Sequence, residues 1–313
     1  MIMAVCLTLT AASCSAAPED DGKLRIVTTV FPVYDWVRNI AEGTETEISM
    51  LVNKGVDLHS YQPTVDDIVR ISESDIFIYV GGESDRWAAD IADTVSGNGT
   101  VCIDLLDVLG DSARDEETAE GMEDDEDDGD GGGKDEHVWL SLKNAEKICG
   151  FISGQLCSVN GNDRETYVSN TDSYTAKLNE LDRRYEETVG NSPCRTLLFG
   201  DRFPFLYMTS DYGIEYYAAF AGCSAETEAS FNTVMFLAGK ADELGLKYIL
   251  KTESSDGRLA ETIRNSTVSK DQIILTLDSM QSVTSEDVAG GVTYIGIMEE
   301  NLGILREALE QGE

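Results

Sequence analysis

Histidine is nearly missing from this chain: 313 residues contain two, His59 and His137. Basic residues are also scarce, 23 Lys and Arg against 59 Asp and Glu, for a formal net charge of −36. Nucleic acid is held by Lys and Arg neutralising phosphate, so this balance excludes such a partner and disfavours adsorption to anionic lipid. No CxxC pair occurs among the seven cysteines, which removes a thiolate zinc site or a redox motif. HExxH, GxSxG and a glycine-rich phosphate loop are all missing, and with them the common hydrolase and nucleotide signatures. The N-terminal apolar stretch is about ten residues, too short to span a bilayer.

What remains describes an exported globular protein. A hydrophobic content of 42% supports a substantial core and argues against global disorder. The start, MIMAVCLTLTAASCSAAPEDDG, has the length and small-residue end of a secretory leader, expected over residues 1–20. AASC resembles a lipobox that would make Cys14 the lipidated first residue; the alternative is ordinary cleavage near Ala16 or Ala17. Cys102, Cys149, Cys157, Cys194 and Cys223 then remain, an odd count that leaves at least one free thiol. Cys149 and Cys157 share one helical stretch at a separation that forbids a bridge. Most of the five read as small buried hydrophobes.

Strand and helix alternate along the chain. KLRIV, EISMLV, DIFIYVGG and TVCIDLLDVL read as strands, with helices after Pro32, after the N-capping Thr64 and through DRWAADIADTV. This predicts an α/β lobe with a mainly parallel sheet over residues 24–157. Residues 115–130 hold 11 acids in 16 positions, which predicts a disordered acidic loop over 112–134. Tyr167, Tyr174, Leu178, Leu181 and Tyr185 recur at helical spacing and predict one long helix over 162–190. RTLLFG, EYYAAF, KYILKT and QIILTLD are strands of a second α/β lobe over 194–313, with helices between them. The expected fold is α/β, two lobes joined by one long rigid helix, with a metal site in the cleft between them.

Ligands in open α/β sheets bind outside the carboxyl ends of strands. His59 follows EISMLV, His137 opens a helix after the acid run, Asp201 follows TLLFG and Asp278 follows QIILTL. Taken singly, each histidine is as readily a surface or core residue, and each aspartate a helix cap. Together they fall at matched strand ends of two lobes, which is how a cleft collects ligands.

Four segments, TVFPVYDWVRNIAEG, VNKGVDLHSYQPTVDDIVRISESDIFIYVGG, DEHVWLSLKNA and ILTLDSM, resemble the zinc and manganese substrate-binding components of ABC transporters. The likeness covers roughly residues 24 to 310. G-x-x-x-H-x-Y-x-P followed by a helix, and D-x-H-V-W-L-x-x-x-N-A, are specific when found in that order. The resemblance implies that His59 and His137 are the first two metal ligands and Asp278 the fourth. The third, His or Glu in most members, falls within FGDRFPFLYMTSDYGI, where Asp201 is the nearest candidate, Gly200 could hold the aligned position, and Glu253 and Glu228 are alternatives. Arg202 would equally serve as a salt-bridge partner of Asp201. The family's low-complexity loop before the second histidine is usually His-rich; here it is acidic and lacks His.

Two imidazoles with two carboxylates suit zinc first and manganese second. The resemblance implies a non-enzymatic, monomeric, extracytoplasmic carrier that captures the ion and delivers it to a membrane ABC permease. Two alternatives stay open: a secreted metal-dependent hydrolase, for which Asp57 or Glu136 would be the base, and a chelate- or siderophore-binding protein. The acid loop would gather cations weakly or act as a solvated spacer.

Overall fold

The computed structural model describes residues 22–55, 58–123, 133–224 and 228–310. The leader with Cys14, and the centre of the acid run, lie outside them. In the first lobe β1 (Leu24–Thr28), β2 (Thr46–Met50), β3 (Ile76–Tyr79) and β4 (Val101–Asp104) form a parallel sheet in the order β2-β1-β3-β4. In the second, β5 (Thr196–Phe203), β6 (Glu215–Ala221), β7 (Tyr248–Thr252) and β8 (Ile273–Leu277) form a parallel sheet in the order β6-β5-β7-β8. The two sheets are topological copies. Each reverses its winding beside its first strand, which places a crevice for ligands at the strands' carboxyl ends.

Helices α1 (Phe31–Ile40), α2 (Val65–Ser72), α3 (Arg86–Ser96), α4 (Leu105–Leu109) and α5 (Leu142–Val159) serve the first lobe. Thr64 caps α2 in a reciprocal capping box with Asp67. The stretch read as one strand, TVCIDLLDVL, divides at Asp104, whose side chain accepts the Asp107 N–H and starts α4. Helices α7 (Leu206–Tyr212), α8 (Phe231–Leu244), α9 (Arg258–Ser266), α10 (Ser285–Ala289) and α11 (Tyr294–Glu310) serve the second. Gly245 ends α8 in the left-handed conformation expected of a C-terminal glycine.

Between the lobes runs α6 (Arg164–Asn191), 28 residues. At 1.5 Å per residue it is about 42 Å long. It buries Tyr167, Thr171, Tyr174, Leu178, Leu181, Tyr185 and Val189, a single three-four stripe, against α1, α5 and α11. Asp35 on α1 adds a polar tie: its Oδ2 accepts the Tyr294 N–H at 3.0 Å and so caps α11 across the molecule. One continuous apolar core joins the inner faces of both sheets through Trp36, Trp139, Tyr185, Phe199 and Tyr294, while each sheet's outer face has its own smaller cluster. A shared core resists independent movement of the lobes.

The acid segment is more ordered than its composition predicts. Residues 113–123 lie along the second lobe, with Ala113 and Met122 buried. The Glu123 N–H donates to Ala219 O at 3.0 Å, and Glu123 Oε1 accepts the Ser230 N–H at 2.5 Å. Lys134 pairs with Asp115 at 2.7 Å. Two of its carboxylates, Glu116 and Glu123, accept backbone N–H groups of the facing lobe. All five described cysteines are free thiols.

Leu178 is fully buried at the centre of the α6 stripe. Leu178→Ala is expected to cost about 2–5 kcal/mol through the cavity it leaves. Urea unfolding would read this as a lower midpoint at unchanged slope.

Candidate metal centre

The segment 135–140 leaves the acid run and turns through three residues, Val138–Leu140, before α5. Asp135 Oδ1 accepts the His137 backbone N–H at 2.8 Å and lies 3.1 Å from His137 Nδ1. That contact fixes the ring and assigns Nδ1 the proton, leaving the Nε2 lone pair outward, the arrangement that carboxylates impose on metal-binding histidines. The ring is wholly buried, and Nε2 has no hydrogen-bond partner. Burial alone would lower its pKa, but the carboxylates of Asp135, Glu136 and Glu116 outweigh burial and raise it. A buried imidazole surrounded by three acids is a site prepared for positive charge.

His59 sits in a short turn, Leu58–Ser60, beyond the carboxyl end of β2. Its Nδ1 lies 2.6 Å from Ser84 Oγ. The Ser84 N–H in turn donates to Glu136 Oε1 at 2.8 Å. Glu136 Oε2 is 4.0 Å from His59 Nδ1, is buried, and accepts no hydrogen bond. Burial raises the Glu136 carboxyl above its ordinary range. The two imidazole centroids are 5.4 Å apart. The glycine pair ending β3 explains how Glu136 reaches this place. Both residues have positive φ, and a Cβ on Gly82 would collide with the Glu136 side chain, one on Gly81 with Asp104.

The second lobe contributes the loop after β6. A Cβ on Gly222 would fall 2.8 Å from Phe203 O and 3.2 Å from His137 Cε1, so only glycine fits there. The next residue, Cys223, donates its N–H to Glu116 Oε1 at 2.7 Å. Among the described residues, one set of three His, Cys, Asp or Glu side chains offers ligand atoms all within 4.8 Å of one another: His59, Glu136 and Cys223. His137 stands beside this set through its ring contact with His59 and its approach to Gly222. Residue-type reasoning passed over Cys223 as a small hydrophobe. The available signal was its position, just past a strand's carboxyl end in the second lobe, the counterpart of His59.

Asp201 and Asp278 are placed differently from each other and belong to no such set. Asp201 lies inside β5 rather than after it. Its Oδ2 accepts Thr252 N–H at 2.8 Å and Thr252 Oγ1–H at 2.7 Å, which clamps β5 to β7. Asp278 does follow β8, and its Oδ1 accepts the Met280 N–H at 2.7 Å. Burial first, then the nearby Glu253 carboxylate, raise its pKa; Glu300 and Asp287 add to this. Glu253 is itself taken up by Ser279 N–H at 2.8 Å and Gln281 N–H at 3.2 Å, and Glu228 is exposed. The Asp278 loop nonetheless abuts the centre's support: Trp139 Nε1–H donates to Ser279 O at 2.9 Å.

Twin parallel-sheet lobes, a long spine helix and two imidazoles brought together, one of them wholly buried, define a two-lobed α/β architecture. The chain belongs to the family described as zinc-uptake complex component A, periplasmic (ZnuA), which matches residues 26–308. The zinc-binding lipoprotein AdcA of Streptococcus pneumoniae is 29% identical over 99% of this chain and 61% of its own length. This chain therefore spans somewhat under two thirds of that relative. The high-affinity zinc uptake system protein ZnuA of Bacillus subtilis is 27% identical over 98% of this chain and 96% of its own length. Among solved structures, the Zn(II)-bound ZnuA-like domain of S. pneumoniae AdcA has a TM-score of 0.72 at 27% identity, covering 92% of this chain and 100% of that one. The B. subtilis metal-dependent lipoprotein YcdH gives 0.75 at 25% identity, over 92% of this chain and 99% of that one.

Two expectations follow from the geometry. Gly222→Ala should push the Cys223 loop away from His137 and weaken metal binding in calorimetry, with stability of the metal-free protein less affected than by a core cavity. Asp85 is wholly buried; burial first, then Glu136, push its pKa up to about 7 against the Val80 and Thr29 donors. Its unfolded value is about 3.9. A raised folded pKa contributes stability that is complete below about pH 4 and lost as pH rises through about 7. Metal-free protein should therefore melt at lower temperature at pH 8 than at pH 5.5, and Asp85→Asn should flatten that slope in thermal melts.

Proposed function

We propose that this chain captures a divalent transition metal, zinc in preference to manganese, outside the cytoplasm and delivers it to an ABC permease. The observation that carries the reading is the His137 ring: wholly buried, fixed at Nδ1 by Asp135, with Nε2 without a hydrogen-bond partner and His59 alongside. Burying a bare acceptor costs about 1–3 kcal/mol, a cost that a bound cation removes. Family membership supports the same reading, and the relatives named for zinc support zinc as the cargo. His59 and His137 are the ligands on which the proposal rests.

The reading is of a carrier and not of a hydrolase. A catalytic zinc needs an open position for water and a base poised beside it. Here Glu136 is tied to the Ser84 N–H and faces His59, as a ligand or ligand support would be. A monomer held at the membrane by lipid on Cys14 fits a carrier that must meet its permease; no helix among the described residues is long and apolar enough to cross a membrane. The shared core and the α6 spine favour a small rocking of the lobes and loop adjustment over wide hinge opening.

Titration calorimetry with zinc on the wild-type chain should give one ion per molecule. The double variant His59→Ala, His137→Ala should lose stoichiometric binding. Undiminished affinity in that variant would sink the proposal.

A further inference from the structure

The second lobe's share of the site was expected from Asp201 and Asp278. Asp201 has its Oδ2 committed to β7, Asp278 accepts the Met280 N–H, and neither belongs to the set of close ligand atoms among the described residues. Cys223 is held where they are not. The Glu116 carboxylate grips its N–H, and Arg202 Nη1–H donates to the next carbonyl, Ser224 O, at 3.4 Å. Gly222 lets this loop come against the His137 ring. Two buried atoms, His137 Nε2 and Glu136 Oε2, have no hydrogen-bond partner, and Glu136 offers an oxygen within 4.8 Å of ligand atoms of His59 and Cys223.

Resting on the carrier reading, we propose that Glu136 and the Cys223 thiolate join His59 and His137 as metal ligands, making a centre of two nitrogens, one oxygen and one sulfur. Metal–ligand bonds of about 2.0–2.3 Å put tetrahedral ligand atoms roughly 3.3–3.8 Å apart. A set already within 4.8 Å needs to contract by about an ångström, with His137 moving in beside it. One carboxylate and one thiolate neutralise a divalent ion. On binding, the thiol proton is released to solvent as the sulfur–metal bond forms. Sulfur is a soft donor that favours zinc and disfavours manganese, so Cys223 becomes the residue that sets metal choice. The sulfur also binds the lobes: His59, Glu136 and His137 belong to the first, Cys223 to the second.

Cobalt(II) reports sulfur ligation directly. The full chain loaded with one cobalt should show intense near-ultraviolet sulfur-to-cobalt charge-transfer absorption. Cys223→Ala should abolish that band and weaken zinc binding by more than the roughly 10–100-fold typical of losing an outer-shell partner. Zinc should protect Cys223 from alkylation, read peptide by peptide, while half-exposed Cys102 and Cys194 remain as reactive as before. Cys223→Asp should retain metal and lower the zinc-over-manganese preference at least about tenfold, as expected when a soft donor becomes a hard one. Wild-type protein that binds one cobalt without the band, with Cys223 equally reactive with and without zinc, would overturn the sulfur ligand and leave the carrier reading intact. Loss of zinc binding in Cys223→Ala with an altered circular dichroism spectrum would shift the decision to the wild-type band and protection alone. Absence of any metal binding by wild type would remove both.

Discussion

The segment 135–140 is the point on which both lobes are set. It belongs to the first lobe by sequence, yet donors and acceptors of the second hold it. Tyr207 O–H donates to Asp135 O at 2.9 Å, Tyr294 O–H to Trp139 O at 2.6 Å, and Trp139 Nε1–H to Ser279 O at 2.9 Å. His137 lies between these ties with its ring against that of Trp139. A shift of one lobe relative to the other must therefore move the histidine or break bonds in a buried, low-dielectric place, where each broken bond is costly. The position of one imidazole and the relative orientation of the lobes are a single variable.

In the proposed carrier role, that coupling would give a physical means of signalling a bound ion. Ligands drawn from both lobes stabilise the arrangement in which they converge, by as much as the ion binds that arrangement more tightly than any other. The continuous core and α6 limit the alternatives to small displacements, because close-packed interiors do not deform continuously. The loops after β2 and β6, which carry His59 and Cys223, lie outside the strand ladders.

Much of this was legible in the residues. The alternation of strands and helices predicted two parallel-sheet lobes, and the tyrosine-leucine stripe predicted α6 to within two residues at its amino end and one at its carboxyl end. His59 and His137 were conspicuous by scarcity, and their ring centroids lie 5.4 Å apart. The facing ligands were harder to see. Asp201 reads as a residue after a strand only if β5 stops at Gly200; the ladder continues to Phe203 because Arg202 and Phe203 pair with β6 past an irregularity. Cys223 gave no motif, since a lone cysteine looks the same whether it packs or ligates. Its function depends on which residues face it across the cleft, a tertiary fact that spacing along one chain does not carry. On the described flank of the acid segment, composition reports self-repulsion but not the contacts made by tertiary structure: the Glu123 N–H donates to Ala219 O, and the Ser230 and Cys223 N–H groups donate to Glu123 and Glu116.

The overall charge of −36 invites an electrostatic explanation of metal affinity, and the geometry argues against it. At physiological ionic strength exposed charges are screened beyond about 8 Å, so most of the acids contribute little to the energy of a bound ion. The carboxylates that matter are the few close to the histidines: Asp135 and Glu136, both at 1% exposure, and the half-buried Glu116. Asp135 orients a ring, Glu136 faces the ion's place, and Glu116 holds the loop that brings in the second lobe. The remaining acidity acts on encounter, raising the local concentration of cations around the cleft. Affinity and selectivity are then decided by donor type at four positions, and the large net charge is compatible with zinc or manganese alike. In the proposed centre, what would separate the two metals is whether the fourth donor is sulfur.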